Sequence, residues 1–190
     1  MNITNDNLNK LESEIILSEE GGIYFAEYDD ISNKNEILKR LKEKLESKSI
    51  KVIELEIDES KYDLAEVLRF QAKKFGTTRI VFFVFPPSDK KLLEKFAGIW
   101  NYTREKFRSI KHPIVIWGDE PTITTIAKIA PDFWAWRNRV LEFKSRNEKL
   151  INLYKDMLKK FEERKDYKKV AEIKEILNKY EGISSIGLKK

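Results

Sequence analysis

The chain has 190 residues, 41% hydrophobic and 36% charged, with 7 glycines and 5 prolines. That balance excludes collagen-like, low-complexity and wholly disordered chains and fits one core with a small appendage. Cysteine is absent, which excludes disulfides, thiolate nucleophiles and zinc–thiolate sites, and the net charge of +5 is uneven: residues 1–143 carry 23 Lys and Arg against 24 Asp and Glu, residues 144–190 carry 14 against 8.

Residues 7–19 set Leu8, Leu11, Ile15 and Ile16 on one helical stripe, which Gly21 and Gly22 end. IYFAEYDD (23–30) reads as a first strand, and Ser32 and Asn33 as the N-cap of a helix whose inner face holds Ile37, Leu38, Leu41 and Leu45. A short strand, KVIELEI (51–57), closes this βαβ unit. A second helix from Asp63 carries Leu64, Val67, Leu68 and Phe75 inward and stops at Gly76. RIVFFVF (79–85) is apolar at nearly every position, as expected of the middle strand of a sheet covered on both faces. A long helix from Ser88-Asp89 follows, with Leu92, Leu93, Phe96, Ile99, Trp100 and Phe107 inward. Then come strand HPIVIWGDEP, a short helix from Pro121, a turn at Pro131 and a fifth strand over 139–145. Strands alternating with helices at this spacing predict a doubly wound α/β fold with five mainly parallel strands and helices on both faces.

After residue 145 the apolar period is helical throughout. LINLYKDMLKKFEER and YKKVAEIKEILNKY predict a C-terminal α-helical hairpin turning at Lys165 and Asp166, its seam formed by Ile151, Tyr154, Leu158 and Phe161 against Val170, Ile173 and Leu177. Residues from Gly182 on are expected to fray. The two expected domains are therefore 1–145 and a basic 146–190. No run approaches about 18 apolar residues and the N-terminus is polar and acidic, so no membrane span or leader is expected and the predicted location is cytoplasmic. Abundant Lys, Glu and Ile fit a warm-growing, thermophilic host.

Ligands of an open parallel sheet bind beyond the carboxyl ends of its strands. Here those ends read Asp29-Asp30, Asp58-Glu59, Pro86-Pro87-Ser88, Asp119-Glu120 and Lys144-Ser145. A nucleotide grip needs GxxxxGK followed by Ser or Thr after the first strand, so that backbone amides and a lysine surround the phosphates. EYDDISNKNE stands there instead, without a glycine and with two carboxylates where phosphates would sit. Two prolines replace the acidic pair that would hold a metal after the third strand. ATP hydrolysis is therefore not expected, and no catalytic, cofactor or metal residue is assigned.

Three further readings remain. Carboxylates Asp29, Asp30, Asp58 and Asp119 could support Mg²⁺-dependent phosphoryl transfer or nuclease chemistry, with helix capping as their structural alternative. A phosphoacceptor arrangement could use Asp29, Asp30 and Lys144, but the central acceptor Asp is missing at Phe85-Pro86. His112, the single histidine, precedes Pro113 at the wrong end of the sheet for catalysis and is expected at the surface. The segment APDFWAWRNR combines Trp134, Trp136 and Arg137 either as a stacking platform for single-stranded nucleic acid or as indoles packed under the last strand.

LLEKFAGIWNYTREKFRSIKHPIVIWGDEPTITTIAKIAPDFWAWRNRVLEF and GGIYFAEYDDISNKNEILKRL resemble the degenerate P-loop NTPase-like domains of the STAND type that precede tetratricopeptide arrays in bacterial and archaeal proteins. The resemblance covers about residues 20–143. It implies a non-hydrolysing scaffold or switch domain in which Trp134, Trp136 and Arg137 are signature residues. The hairpin is similar to one degenerate tetratricopeptide unit through Tyr154, Phe161, Asp166-Tyr167 and Leu177; Leu158, Lys165 and Val170 depart from its small-residue positions. A single unit cannot bury both faces, so a protein partner or self-association through the hairpin is expected, with nucleic acid as the alternative partner.

Overall fold

The computed structural model describes residues 3–61, 63–143 and 148–182. The chain divides into two compact units, Met1–Lys144 and Ser145–Lys190. In the first, helix α1 (Ile3–Leu17) precedes strand β1 (Gly22–Tyr28). Helix α2 (Ile31–Glu46), strand β2 (Lys51–Glu56), helix α3 (Leu64–Phe75) and strand β3 (Ile80–Phe85) follow. Helix α4 (Lys90–Thr103) runs into a 3₁₀ segment, Arg104–Ser109, and then come strand β4 (Pro113–Gly118), helix α5 (Glu120–Ile129), the single-turn helix α6 (Pro131–Ala135) and strand β5 (Arg137–Phe143). The strands form one all-parallel sheet in the order β2-β3-β4-β1-β5.

Alternation along each strand sorts its side chains to two cores. Ile23 and Phe25 of β1, Phe82 and Val84 of β3 and Ile114 and Ile116 of β4 face a layer containing Leu68, Phe96, Trp100, Ile126 and Phe133. Tyr24, Ala26, Phe83, Val115, Trp117 and Phe143 face the other, with Leu8, Leu11 and Ile15 of α1 and Ile37, Leu41 and Leu45 of α2. Helices thus cover both faces, as a parallel sheet requires. The middle strand is β4, not β3: a fully apolar run reports coverage on both faces, which β1, β3 and β4 share.

At the start of β5 the pairing with β1 slips by one residue: Ile23 pairs with Arg137 and Tyr24 with Arg139. The skipped Asn138 accepts the Ile23 N–H on its side-chain Oδ1 at 2.9 Å, so the bulge leaves no β1 donor orphaned. His112 is half-buried against the Phe82 ring, contrary to the surface position expected, and burial lowers its pKa.

The second unit comprises α7 (Glu148–Glu163) and α8 (Tyr167–Gly182), an antiparallel hairpin whose Val170, Ile173 and Leu177 are buried. Of the expected seam, the side chain of Ile151 lies outside the described residues, as do Lys144 and everything beyond Gly182. Lys165 adopts a left-handed φ of 57°, while the Asp166 N–H closes back on the Phe161 carbonyl at 3.0 Å. This C-terminal turn favours glycine, because a Cβ in the left-handed region costs about 1 kcal/mol or more. Lys165→Gly is expected to stabilise the hairpin by about 0.5–1 kcal/mol, read as slower amide exchange in α7 and α8. Faster exchange would contradict it.

Candidate functional site

In the sheet unit α2, α3, α4 and α5 each follow a strand, α3 after the 3₁₀ turn Glu59–Lys61, and each starts at an aspartate whose carboxylate accepts a hydrogen bond from the third backbone N–H beyond it. Asp30 accepts from Asn33 at 2.8 Å, Asp63 from Glu66 at 3.2 Å, Asp89 from Leu92 at 2.8 Å and Asp119 from Thr122 at 3.0 Å. Helix N-termini at a carboxyl edge are the donors that grip phosphate in nucleotide-binding sheets. In this unit the protein's own carboxylates occupy those donors.

The turn after β1 is closed most completely. Only Asp29 and Asp30 separate β1 from α2, so the helix starts earlier than Ser32 and Asn33 suggested, and Asp30 is the cap. Asn33 is instead a clamp: its Nδ2 donates to Asp29 Oδ1 at 2.8 Å and to the Phe143 carbonyl at 2.7 Å, tying the turn to the end of β5. A GxxxxGK loop needs several more residues between strand and helix to wrap a phosphate. Lys34, in the first turn of α2, lies over the rings of Tyr28 and Phe85 at 5.4 and 4.9 Å.

The remaining strand-end carboxylates do not converge. Asp58 follows β2, two strands from β4 and three from β1, or about 10 and 14 Å at ordinary strand spacing. Its pKa falls to about 2, first through the Lys61 ammonium at 2.5 Å and then through Ser60. Asp63 is also held below the ordinary range: burial opposes ionisation, but Lys106 and the Glu66 N–H outweigh it. Among the described residues no group of three His, Asp or Glu could hold a metal ion. A cleft of about 400 Å³ does lie at this edge, lined by Tyr28, Pro86, Ser88, Trp117, Asp119 and Thr122. Burial, and then the nearby Asp119 charge, raise the Tyr28 pKa, which keeps the phenol a neutral donor.

Trp134, Trp136 and Arg137 sit at the opposite, amino edge, a strand length or roughly 20 Å away. The six residues singled out from sequence therefore form two separate groups. Both indoles are half-buried: Trp134 meets Phe25 with ring centroids 4.6 Å apart, and Trp136 packs on the same core. Each also carries a guanidinium. Arg137 lies 4.3 Å over Trp134 and donates to its carbonyl at 2.9 Å, and Arg108 lies 4.9 Å over Trp136. The Arg108 contact joins residues 28 positions apart, a spacing no local periodicity could signal.

No protein-family model and no curated protein matches the chain. Among solved structures it is similar to Drosophila ORC bound to DNA (TM-score 0.51, 11% identity, covering 82% of this chain and 32% of that one). It is also similar to the Aeropyrum pernix ORC2 protein in ADPNP–ADP complexes (TM-score 0.50, 9% identity, covering 82% and 51%). The chain thus spans a third to a half of these neighbours. At such identities the likeness concerns the fold alone.

Proposed function

We propose that this chain is a non-hydrolysing assembly module: a nucleotide-switch fold retained as a scaffold, with the tetratricopeptide-like hairpin as its protein-contact surface. The reading is carried by the two-residue turn after β1, where Asp30 fills the amide site and Asn33 fastens Asp29 to β5. Aspartates lie where a triphosphate would bring several negative charges, so binding would have to overcome both repulsion and loss of the cap. The neighbours named above include ORC bound to DNA, and an assembly of that kind is consistent with a scaffold. The STAND-type resemblance, itself carried by the eroded loop and the DFWAWR segment, supports the same reading.

The hairpin exposes Leu153 and Tyr167 at 54% and 74%, and two helices alone offer little apolar area to bury. Isothermal titration of the full chain with ATP and Mg²⁺ is expected to give no saturable heat, and micromolar binding with turnover would overturn the reading. A full-chain bait carrying Leu153→Glu and Tyr167→Glu is expected to lose the protein partners or self-association that the unaltered chain shows. Equal retention would remove the hairpin as the contact surface.

A further inference from the structure

The aspartate-lined carboxyl edge has a counterpart of opposite charge. Cationic side chains gather where strands begin: Lys51 opens β2, Lys74 closes the helix before β3, Arg79 directly precedes β3, Arg108 and Lys111 precede β4, and Arg137 opens β5. Four of these six lie on aromatic rings. Besides the two Arg–Trp pairs, Lys51 Nζ is 4.5 Å from the Phe75 ring centroid and Lys74 Nζ is 4.4 Å from that of Phe70, itself 61% exposed. The order β2-β3-β4-β1-β5 spreads the pairs from one side of the sheet to the other, over about 19 Å at ordinary strand spacing. Between them, at the starts of β3 and β4, lies a cleft of about 560 Å³ lined by Thr77, Thr78, Arg79, Lys111 and His112.

We infer that this amino edge binds single-stranded nucleic acid. A guanidinium over an indole is a flat cation with one side against the ring, which leaves its other side for a base and its N–H groups for a phosphate. Arg137 is the better placed of the two, because its guanidinium donates to the Trp134 carbonyl, whereas that of Arg108 is shared with a carboxylate. Arg108 is paired with Glu105 at 3.2 Å and Lys111 with Glu20 at 3.1 Å. Both pairs are exposed, and exposed pairs exchange partners at little cost. Glu19 and Glu20 interrupt the cationic run just before β1, so binding should concentrate at its two ends. An open row of cations, two of them flat guanidinium groups on indoles, suits a strand whose bases are unstacked; a duplex would present only its phosphates.

Fluorescence anisotropy of labelled oligothymidylate with the full chain tests this. Trp100 and Trp117 are fully buried, so quenching of indole emission during the same titration reports on Trp134 and Trp136. Saturable binding at low salt with quenching is expected, and Arg108→Ala with Arg137→Ala should weaken it at least tenfold. Every phosphate that the variant no longer neutralises should shallow the log–log salt slope by about 0.7. Lys91→Ala, an exposed cation on the first turn of α4, should leave binding unchanged. No binding at low salt, equal affinity in the double variant, or equal competition by polyglutamate would overturn the inference. It would also fall if affinity vanished only on charge reversal of Lys159, Lys160, Lys168 and Lys169 in the hairpin.

Discussion

Phe133→Ala should cost about 3–5 kcal/mol, roughly a fifth or more of the stability of an ordinary domain. Phe133 is fully buried on the single turn of α6, and its ring meets Phe25 of β1, Trp100 of α4 and Phe107 of the 3₁₀ segment at centroid distances of 6.5, 5.8 and 4.9 Å. One side chain thus joins the sheet, the longest helix on its face and the segment carrying Arg108. The backbone around it cannot collapse into the space, because Asn101 Oδ1 already accepts the Asp132 and Phe133 N–H groups at 2.8 and 3.0 Å and fixes the start of α6. A cavity should therefore remain and add to the lost transfer free energy. Urea unfolding followed by circular dichroism should show a lower midpoint at unchanged slope. Tyr102→Ala, at an 87% exposed position, should change stability by less than about 0.5 kcal/mol. A Phe133→Ala loss under about 1.5 kcal/mol, far below the range for such truncations, would mean that α6 is not seated on this core.

The layers of the sheet unit were legible because they follow from local patterns. Leu8, Leu11 and Ile15, and then Ile37, Leu41 and Leu45, recur at helical spacing and are buried as that spacing requires. Strand order was not legible in the same way. Hydropathy cannot rank β1, β3 and β4, since each has neighbours on both sides and helices on both faces; crossover geometry decides which lies centrally. The long helix predicted from Ser88-Asp89 ends at Thr103, and its continuation tightens to 3₁₀ through Arg104–Ser109, because apolar spacing through Phe107 fits either helix over so few residues.

The empty phosphate loop could be read from EYDDIS, but the depth of its closure could not. Taking Ser32 and Asn33 as the cap left room for a longer turn. Placing the cap at Asp30 removes that room, and the Asn33 bond to the Phe143 carbonyl spans 110 positions. Asn33 in isolation reads as an ordinary helix-start residue. Similarly, APDFWAWRNR offered packing and a nucleic-acid stacking platform as alternatives; the structure packs both indoles on the core and sets a guanidinium over each. Arg137 rests on an indole, and the strand-end carboxylates lie at the far edge of the sheet.

Three glycine-to-alanine substitutions should separate conformational strain from steric collision, with Gly21→Ala the most damaging. Gly21 has φ +83°, and a Cβ there would stand 2.7 Å from the Ile110 carbonyl oxygen, 2.9 Å from His112 N and 3.0 Å from the His112 carbonyl oxygen. All three obstacles are backbone atoms at the approach to β4, so no rotamer change relieves them. Moving them would disturb the Gly22–Pro113 register that starts the β1–β4 ladder. Left-handed strain and overpacking together should cost about 3–5 kcal/mol. Gly76 also has positive φ, +56°, but a Cβ would meet nothing within 4 Å; alanine there should cost only the backbone strain, about 1–3 kcal/mol. Gly98 lies exposed within α4 without positive φ or nearby atoms, and alanine should stabilise by about 0.5–1 kcal/mol. Urea midpoints of the three full-length variants should therefore fall in the order Gly98→Ala above the parent, Gly76→Ala below it and Gly21→Ala lowest. If Gly21→Ala matched Gly76→Ala, the close backbone approach between the starts of β1 and β4 would be wrong, and with it the packed amino edge on which the Arg–Trp pairs stand.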